Sequence, residues 1–209
     1  MPTFPAQVDR LVTLGYPALA GTTEPAFREL LEPLRPIAAT LEAEDSPAHV
    51  AYVVVVTRDL VAPEDAVPLL RLHTARGAGE KPGVVDRNHA PGDLAGYHPI
   101  EPSTPPASAY LLVDVERGEE FRDVRPEEAT ATVLSRGRSP LTIDEGIALV
   151  TQVPATLERN KCFMLAGSRR GDRRVPALWI SERAPKLGWC WDGNPHTWLG
   201  LASAGGRVA

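Results

Sequence analysis

The sequence is poor in cysteine, lacks long apolar runs and carries no excess of basic charge. Two cysteines among 209 residues cannot form the framework of a disulfide-rich scaffold. The longest apolar run, VAYVVVV at 50–56, is far shorter than the roughly 18–20 residues that a membrane helix needs. A net charge of −5 gives no bias toward nucleic acid or anionic membrane surfaces. We therefore expect neither a nucleic-acid partner nor a membrane location.

The N-terminal segment MPTFPAQVDR also lacks the basic region and apolar stretch of a secretory signal. We therefore expect a cytoplasmic protein whose cysteines are free thiols. Proline and glycine, by contrast, are abundant, with 21 and 17 residues. Because proline fixes φ and removes a backbone donor, this composition favours short elements joined by long ordered connections.

The order of the apolar patterns predicts an α+β fold with a mainly antiparallel sheet, flanking helices and a long loop rich in proline and glycine. Amphipathic spacing predicts helices at 6–15 and 23–34. The β-branched run at 49–59 predicts a central strand that is covered on both faces, and a second strand is predicted at 67–73. Residues 74–107 show no periodicity and are predicted to form the long loop.

The second half of the chain predicts a hairpin at 108–124, followed by helices at 125–137 and 141–154. The later helix begins with Thr142 and Glu145, which match a capping box. These helices are followed by a second predicted hairpin and a tryptophan-rich tail.

The second hairpin combines strands at 161–168 and 173–181, and Pro176 indicates an edge position or a bulge. We expect one domain over the whole chain, with a helical N-terminal extension over about residues 1–45. A division near residue 105 is the alternative.

Several unusual segments make the second half resemble an uncharacterised family of bacterial proteins of unknown function. They are RGRSPLTIDEGIAL, CFMLAGSR, RVPALWIS and PKLGWCWDGNPHTWLG. The resemblance covers roughly residues 136–200, and the first hundred residues are less distinctive. It implies no activity, cofactor or catalytic residue, so the chemistry has to be inferred from the residues themselves.

The stretch GWCWDGNPHTWLG at 188–200 contains the residue types of a thiol-dependent active site. Cys190 supplies a nucleophile, His196 a base and Asp192 an orienting carboxylate. The alternative is that Cys190 is a small buried hydrophobe between two tryptophans, where apolar surroundings raise its pKa.

The same stretch predicts an aromatic surface. Trp189 and Trp191 are two residues apart, so on a strand they share one face, and Trp179 and Trp198 could join them across the final sheet. Aromatic faces suit planar ligands, sugars and interface anchors. The alternative is that these large side chains complete the hydrophobic core.

Four arginines surround the predicted tip of the second hairpin, and guanidinium groups bind phosphate and carboxylate well. The alternative is a solvated turn. Together with the aromatic side chains these arginines form a predicted C-terminal recognition face. Its residues are Trp189, Trp191, Trp198, His196, Arg169, Arg170, Arg173 and Arg174.

Histidine and aspartate residues of the long loop are possible metal ligands. They are His73, Asp86, His89, Asp93 and His98. Their spacing matches no HExxH, CxxC or EF-hand signature, so no cofactor is predicted. A divalent transition metal is the alternative.

We therefore expect a binding or interaction protein that recognises a small ligand or an acidic protein partner through its C-terminal Trp/Arg-rich face. One alternative is a small enzyme, either metal-assisted through the 73–98 loop or thiol-dependent through Cys190 and His196. Another is a structural component of a larger assembly whose partner orders the loop. The absence of a recognisable catalytic signature favours binding over catalysis.

Overall fold

A computed structural model describes residues 2–41, 46–75 and 77–209 and confirms the predicted α+β fold. The α-helices are α1 (Phe4–Thr13), α2 (Tyr16–Leu19), α3 (Glu24–Leu31), α4 (Arg35–Ala38), α5 (Pro63–Ala66), α6 (Pro126–Ser135) and α7 (Ile143–Gln152). The strands are β1 (His49–Val56), β2 (His73–Thr74), β3 (Gly77–Ala78), β4 (Val84–Val85), β5 (His98–Pro99), β6 (Ala109–Glu116), β7 (Ser139–Pro140), β8 (Cys162–Met164), β9 (Ser168–Arg169), β10 (Arg174–Ser181), β11 (Ala184–Trp191), β12 (Leu199–Leu201) and β13 (Ser203–Val208).

Two larger sheets form the frame of the molecule. The first has the order β1-β6-β13-β7 and is antiparallel. The second has the order β12-β8-β10-β11-β4, with antiparallel pairs in its middle and parallel pairs at both edges. The first sheet draws strands from both sides of residue 105, and α1, α3 and α7 share one hydrophobic core with both sheets. None of the helices in the described residues is long and apolar enough to cross a membrane.

Strand β1 is buried on both faces as predicted, but it lies at the edge of its sheet and the predicted central position is wrong. The side-chain amide of Gln7 in α1 takes the place of a neighbouring strand. Its Oε1 accepts from the Val54 N–H at 2.8 Å, and its Nε2 donates to the Tyr52 carbonyl at 3.4 Å. The amide therefore satisfies backbone groups that an open edge leaves unpaired.

Helix α7 is buried along its whole length and packs against β1 and β10. The predicted capping box of Thr142 and Glu145 is confirmed. The two acidic residues of its first turn are also buried, and each has a cationic partner. Arg58 binds Asp144 at 2.8 Å, and Arg207 binds Glu145 at 2.6 Å. A buried charge needs such a partner because burial removes its hydration.

The predicted strand at 67–73 is wrong. A 3-10 helix occupies Val67–Leu69, and only the two residues of β2 follow as a strand. Pro68 explains the difference, since its fixed φ suits the first turn of a helix and it cannot donate to a strand ladder.

The predicted hairpin at 108–124 is also wrong, because only its first half forms a strand, β6. The chain then turns at Gly118, whose φ is +71°, and crosses close to Gly200. A Cβ on Gly118 would lie 1.9 Å from the Leu201 carbonyl oxygen. Gly118 and Gly200 therefore allow the two backbone segments to which they belong to come into contact. Strand β6 pairs with β13 instead of with the segment that directly follows it.

The edge position predicted for Pro176 is wrong as well, because β10 is the central strand of the second sheet. Strand β8 pairs with β10 only at Ala177 and Leu178, so Pro176 lies just outside that ladder. Its carbonyl accepts from the Leu165 N–H at 2.8 Å, and the Leu165 carbonyl accepts from the Ser168 N–H at 3.2 Å, so the donor that proline lacks is replaced there.

Candidate functional site

The tryptophans lie on two faces of the β10–β11 hairpin rather than on one. Trp189 and Trp191 share a face as predicted, with their ring centroids 4.9 Å apart. Trp179 pairs in register with Lys186, and side chains alternate along a strand, so Trp179 lies on the opposite face. Trp198 packs edge-on against Trp179 at 6.0 Å.

Trp198 and His196 therefore do not join the predicted recognition face. The His196 ring contacts Trp198 with a centroid distance of 5.5 Å. Both residues precede β12, which pairs with β8 on the far side of β10 from β11. This long-range pairing places them beside Trp179.

The first face, which we call the arginine face, consists of Trp189, Trp191, Arg169, Arg170 and Arg174. The Arg174 guanidinium lies over the Trp189 ring at 4.7 Å, a cation–π contact. The three arginines, however, already bind carboxylates. Arg170 and Arg174 contact Asp93 at 3.0 and 3.5 Å, and Arg169 binds Asp192 at 2.5 Å.

The fourth predicted arginine, Arg173, is 69% exposed and lies 3.7 Å from Glu127. Asp172 adds further negative charge, since it lies 3.5 Å from Arg170 and 3.6 Å from Arg174. The positive charge that the sequence concentrates here is therefore largely neutralised within the protein.

Residues 86–99 of the long loop lie across the arginine face, and we call this segment the strap. Strand β5 at its end pairs with β9. The Trp189 indole donates to the Asn88 carbonyl at 2.8 Å, and Arg170 stacks on Tyr97 at 5.5 Å. With the ion pairs of Asp93, these contacts show that Trp189, Arg170 and Arg174 pack against the strap.

The loop residues do not form the alternative metal site. His73 and His98 are exposed, while Asp86 is 3.2 Å from Lys186 and Asp93 is held by arginines. His89 is buried edge-on against Tyr97. In the described part of the chain, no three His, Cys, Asp or Glu side chains come close enough to share a metal ion.

Among the described residues the His89 ring has no hydrogen-bond partner of ordinary geometry, although the Gly188 backbone and the charges of Asp93 and Asp86 favour its protonated form. Burial outweighs these effects and lowers its pKa. We therefore assign His89 a packing role as a neutral ring within the strap, against Tyr97.

The residues of the possible thiol site do not form the hydrogen bonds that a thiol–base pair needs in the described structure. Cys190 is buried, and burial followed by the negative charge of Asp192 raises its pKa to about 12. Asp192 binds Arg169, and among the described residues His196 Nε2 has no hydrogen-bond partner. A nucleophilic cysteine needs a lowered pKa and a bonded base, so this geometry fits the small buried hydrophobe better.

A groove, which we call the tryptophan groove, runs from Trp179 around the end of the β10–β11 hairpin at Ile180 and Glu182. Its smaller part has a cavity volume of about 260 Å³ and its larger part about 760 Å³. The smaller part is lined by Arg159, Asn160, Cys162, Trp179, Ile180, Ser181 and Trp198. The larger part is lined by Leu72, Thr74, Ala78, Gly79, Glu80, Lys81, Arg159, Ile180, Glu182 and Arg183. Arg159 and Ile180 line both parts, so the two parts adjoin.

The charged side chains of the tryptophan groove differ from those of the arginine face. Within the described residues, Lys81, Arg159 and Arg183 have no carboxylate within 4.0 Å. Glu80 and Glu182 line the larger part and likewise form no ion pair there. The groove therefore exposes charges that have no ion-pair partner among the described residues.

Trp179 is held in place by a glycine. A Cβ on Gly188 would lie 2.1 Å from the Trp179 ring, so the ring packs directly on the β11 backbone. This contact leaves Trp179 partly exposed at the groove as a fixed aromatic surface.

The tryptophan groove is the part of the candidate site that sequence reasoning missed. No local signal in the sequence points to Arg159 or Lys81, since one follows a 3-10 turn and the other follows the β2–β3 hairpin. Only the fold brings Arg159 beside Trp179 and Lys81 into the adjoining part of the groove.

Comparison with known proteins bears on family membership alone. A profile described as "Family of unknown function (DUF5701)" matches residues 10–209. The resemblance expected from residues 136–200 is thus confirmed, and it extends over nearly the whole chain. Searches of curated proteins and of solved structures found no match.

Proposed function

The chain belongs to DUF5701, a family of unknown function, and we propose from its geometry that it binds a small organic ligand in the tryptophan groove. This proposal keeps the predicted class, a binding protein, and moves its site from the arginine face to the tryptophan groove at the end of the β10–β11 hairpin. A cytoplasmic location, expected from the sequence, is part of the same proposal.

The observation that carries the proposal is the pairing of Trp179 and Trp198 at the end of an open groove. Both rings are partly exposed, and they contact each other edge-on at 6.0 Å. Ligand sites are typically concave and mostly apolar, with a few polar groups that fix orientation. The smaller part of the groove has this character, since Ile180 and the tryptophans lie beside Asn160 and Ser181.

The arginine face supports recognition of an acidic partner less well. Arg169, Arg170 and Arg174 would have to release Asp192 and Asp93 before binding another anion. Trp191 and Arg173 remain accessible there, at 46% and 69% exposed. Substitutions at these accessible residues therefore serve as controls for substitutions in the tryptophan groove.

Catalysis receives no positive support from the candidate residues. Burial raises the pKa of Cys162 as it does that of Cys190, so both thiols are protonated at neutral pH. The proposal is therefore one of binding.

The test uses N-phenyl-1-naphthylamine, a neutral aromatic probe that fluoresces more strongly in apolar sites. The protein is expected to bind the probe, and Trp179→Ala to weaken binding about tenfold, since an aromatic contact is lost. The matched control is Trp191→Ala, which removes a tryptophan from the other face and is expected to leave binding unchanged.

Thermal unfolding of each variant shows whether the fold is retained. Absence of probe binding, or equal weakening by the two substitutions, would contradict a site in the tryptophan groove.

A further inference from the structure

We infer that the ligand of the tryptophan groove is an aromatic anion, with a planar apolar body against Trp179 and Trp198 and a negatively charged group at Arg159. This inference rests on the proposed function and specifies its ligand class. It also assigns Arg159 as a binding residue.

Arg159 occupies the position where the two parts of the groove meet. Among the described residues, it is the one charged side chain that lines the smaller part, where the tryptophans lie. It is exposed and forms no ion pair with a described carboxylate, although Glu158, the preceding residue, binds Lys161 at 3.2 Å. A free guanidinium beside two indoles fits a ligand that carries negative charge next to its rings.

The larger part of the groove carries more charge of both signs. Lys81 and Arg183 add two cations, while Glu80 and Glu182 add two carboxylates. With Arg159, the lining therefore has three cations and two carboxylates, a net charge of +1. In a chain with a net charge of −5, this groove is a locally favourable place for an anion.

The size of the groove limits the aromatic body. A volume of about 260 Å³ is just below the roughly 300–1,000 Å³ typical of sites for drug-sized ligands. The smaller part therefore suits a body of one or two rings, and the adjoining 760 Å³ leaves room for a longer substituent.

Two probes that differ in charge test the ligand class. 8-Anilinonaphthalene-1-sulfonate carries a sulfonate, whereas N-phenyl-1-naphthylamine has the same ring system without it. Arg159→Gln is expected to weaken sulfonate-probe binding about tenfold, because a charge-assisted hydrogen bond is lost, and to change neutral-probe binding less than twofold. Arg159→Lys, which keeps the charge, is expected to retain more binding than Arg159→Gln.

Arg87→Gln is the matched control. Arg87 is exposed, has no carboxylate within ion-pair distance in the described residues and does not line the groove. Both probes are expected to bind this variant as they bind the unaltered protein. Raising the salt concentration is expected to weaken only the sulfonate probe.

The outcomes separate this inference from the proposed function. If Trp179→Ala weakens the binding of both probes but Arg159→Gln changes the binding of neither, the groove binds ligands and the anionic ligand class is wrong. If inorganic pyrophosphate displaces the sulfonate probe while Trp179→Ala has no effect on it, the site binds the anion alone and the aromatic class is wrong. If neither substitution alters either probe, both proposals fail.

Discussion

Glu145 illustrates how a single buried charge is satisfied in this protein. Its carboxylate accepts from Arg207 Nε at 2.6 Å, from the Tyr110 hydroxyl at 2.6 Å and from the Thr142 N–H at 2.7 Å. Burial, followed by the negative charge of Glu145, raises the pKa of Tyr110, so the hydroxyl keeps the proton that it donates. The carboxylate is stable in the core because these donors replace its water.

We predict that Arg207→Met lowers the free energy of unfolding by about 3–5 kcal/mol, because it leaves Glu145 charged and unpaired in the core. Urea denaturation at pH 7 measures the change. Arg136→Met is the control, since the Arg136–Glu120 pair is exposed and should contribute less than about 1 kcal/mol. Equal effects of the two substitutions would contradict the assignment.

For the partners of Glu145, the sequence predicts only the local one, Thr142. The capping box lies within four residues and is recognisable by its spacing. Arg207 and Tyr110 lie far from Glu145 in the sequence, and no pattern marks either as its partner.

Helix α7 shows how closely the elements pack. A Cβ on Gly146 would lie 2.4 Å from the Leu165 side chain, and Leu165 is fully buried. A glycine inside a helix normally costs stability relative to alanine. Here it permits the close approach of α7 to the segment that follows β8.

We predict that Gly146→Ala destabilises the protein by about 1–3 kcal/mol through overpacking, despite the higher helix propensity of alanine. Gly206→Ala is the control, because its added methyl group would have nothing within 4 Å. Urea denaturation of both variants decides the matter, and a more stable Gly146→Ala protein would refute close packing at this site.

The elements that could be predicted are those whose signal is local. Helices at α1, α3, α6 and α7 follow from apolar spacing and capping residues, and the buried faces of β1 follow from its composition. The edge position of β1 and the pairing of β6 with β13 depend on distant segments. Apolar patterns do not encode which strands become neighbours.

Because strand pairing cannot be read from apolar patterns, the sequence predicts only part of the candidate site. Alternation along a strand correctly places Trp189 and Trp191 on one face. The position of Trp198 depends on the pairing of β12 with β8, so the predicted recognition face divides in two. The carboxylates that neutralise the arginines come partly from the strap, which has no periodic signal.

The stability of the whole molecule is expected to depend on pH through two histidines, the buried His89 and the partly buried His196. Burial lowers the pKa of His89 and of His196 below the usual value of about 6.5. The unfolded chain therefore binds more protons than the folded protein as the pH falls through this value. Stability present above about pH 6.5 is lost as the pH decreases.

We predict that the free energy of unfolding is lower at pH 5.5 than at pH 7.5, and that His89→Phe reduces this difference. Urea denaturation at both pH values measures it within each variant, so any change in baseline stability cancels. The carboxylate of Asp93, whose pKa is lowered mainly by Arg170, stays charged throughout this range. An unchanged difference in His89→Phe would show that His89 is not among the groups responsible.

The position of β13 in the first sheet has a consequence for how the chain is made. Strand β13 lies between β6 and β7, although both are synthesised well before it. Until residues 203–208 leave the ribosome, β6 has an open edge and Glu145 lacks Arg207. Folding therefore cannot be completed stepwise from the N-terminus, and nascent chains that stop short of β13 should be substrates for chaperones and proteases.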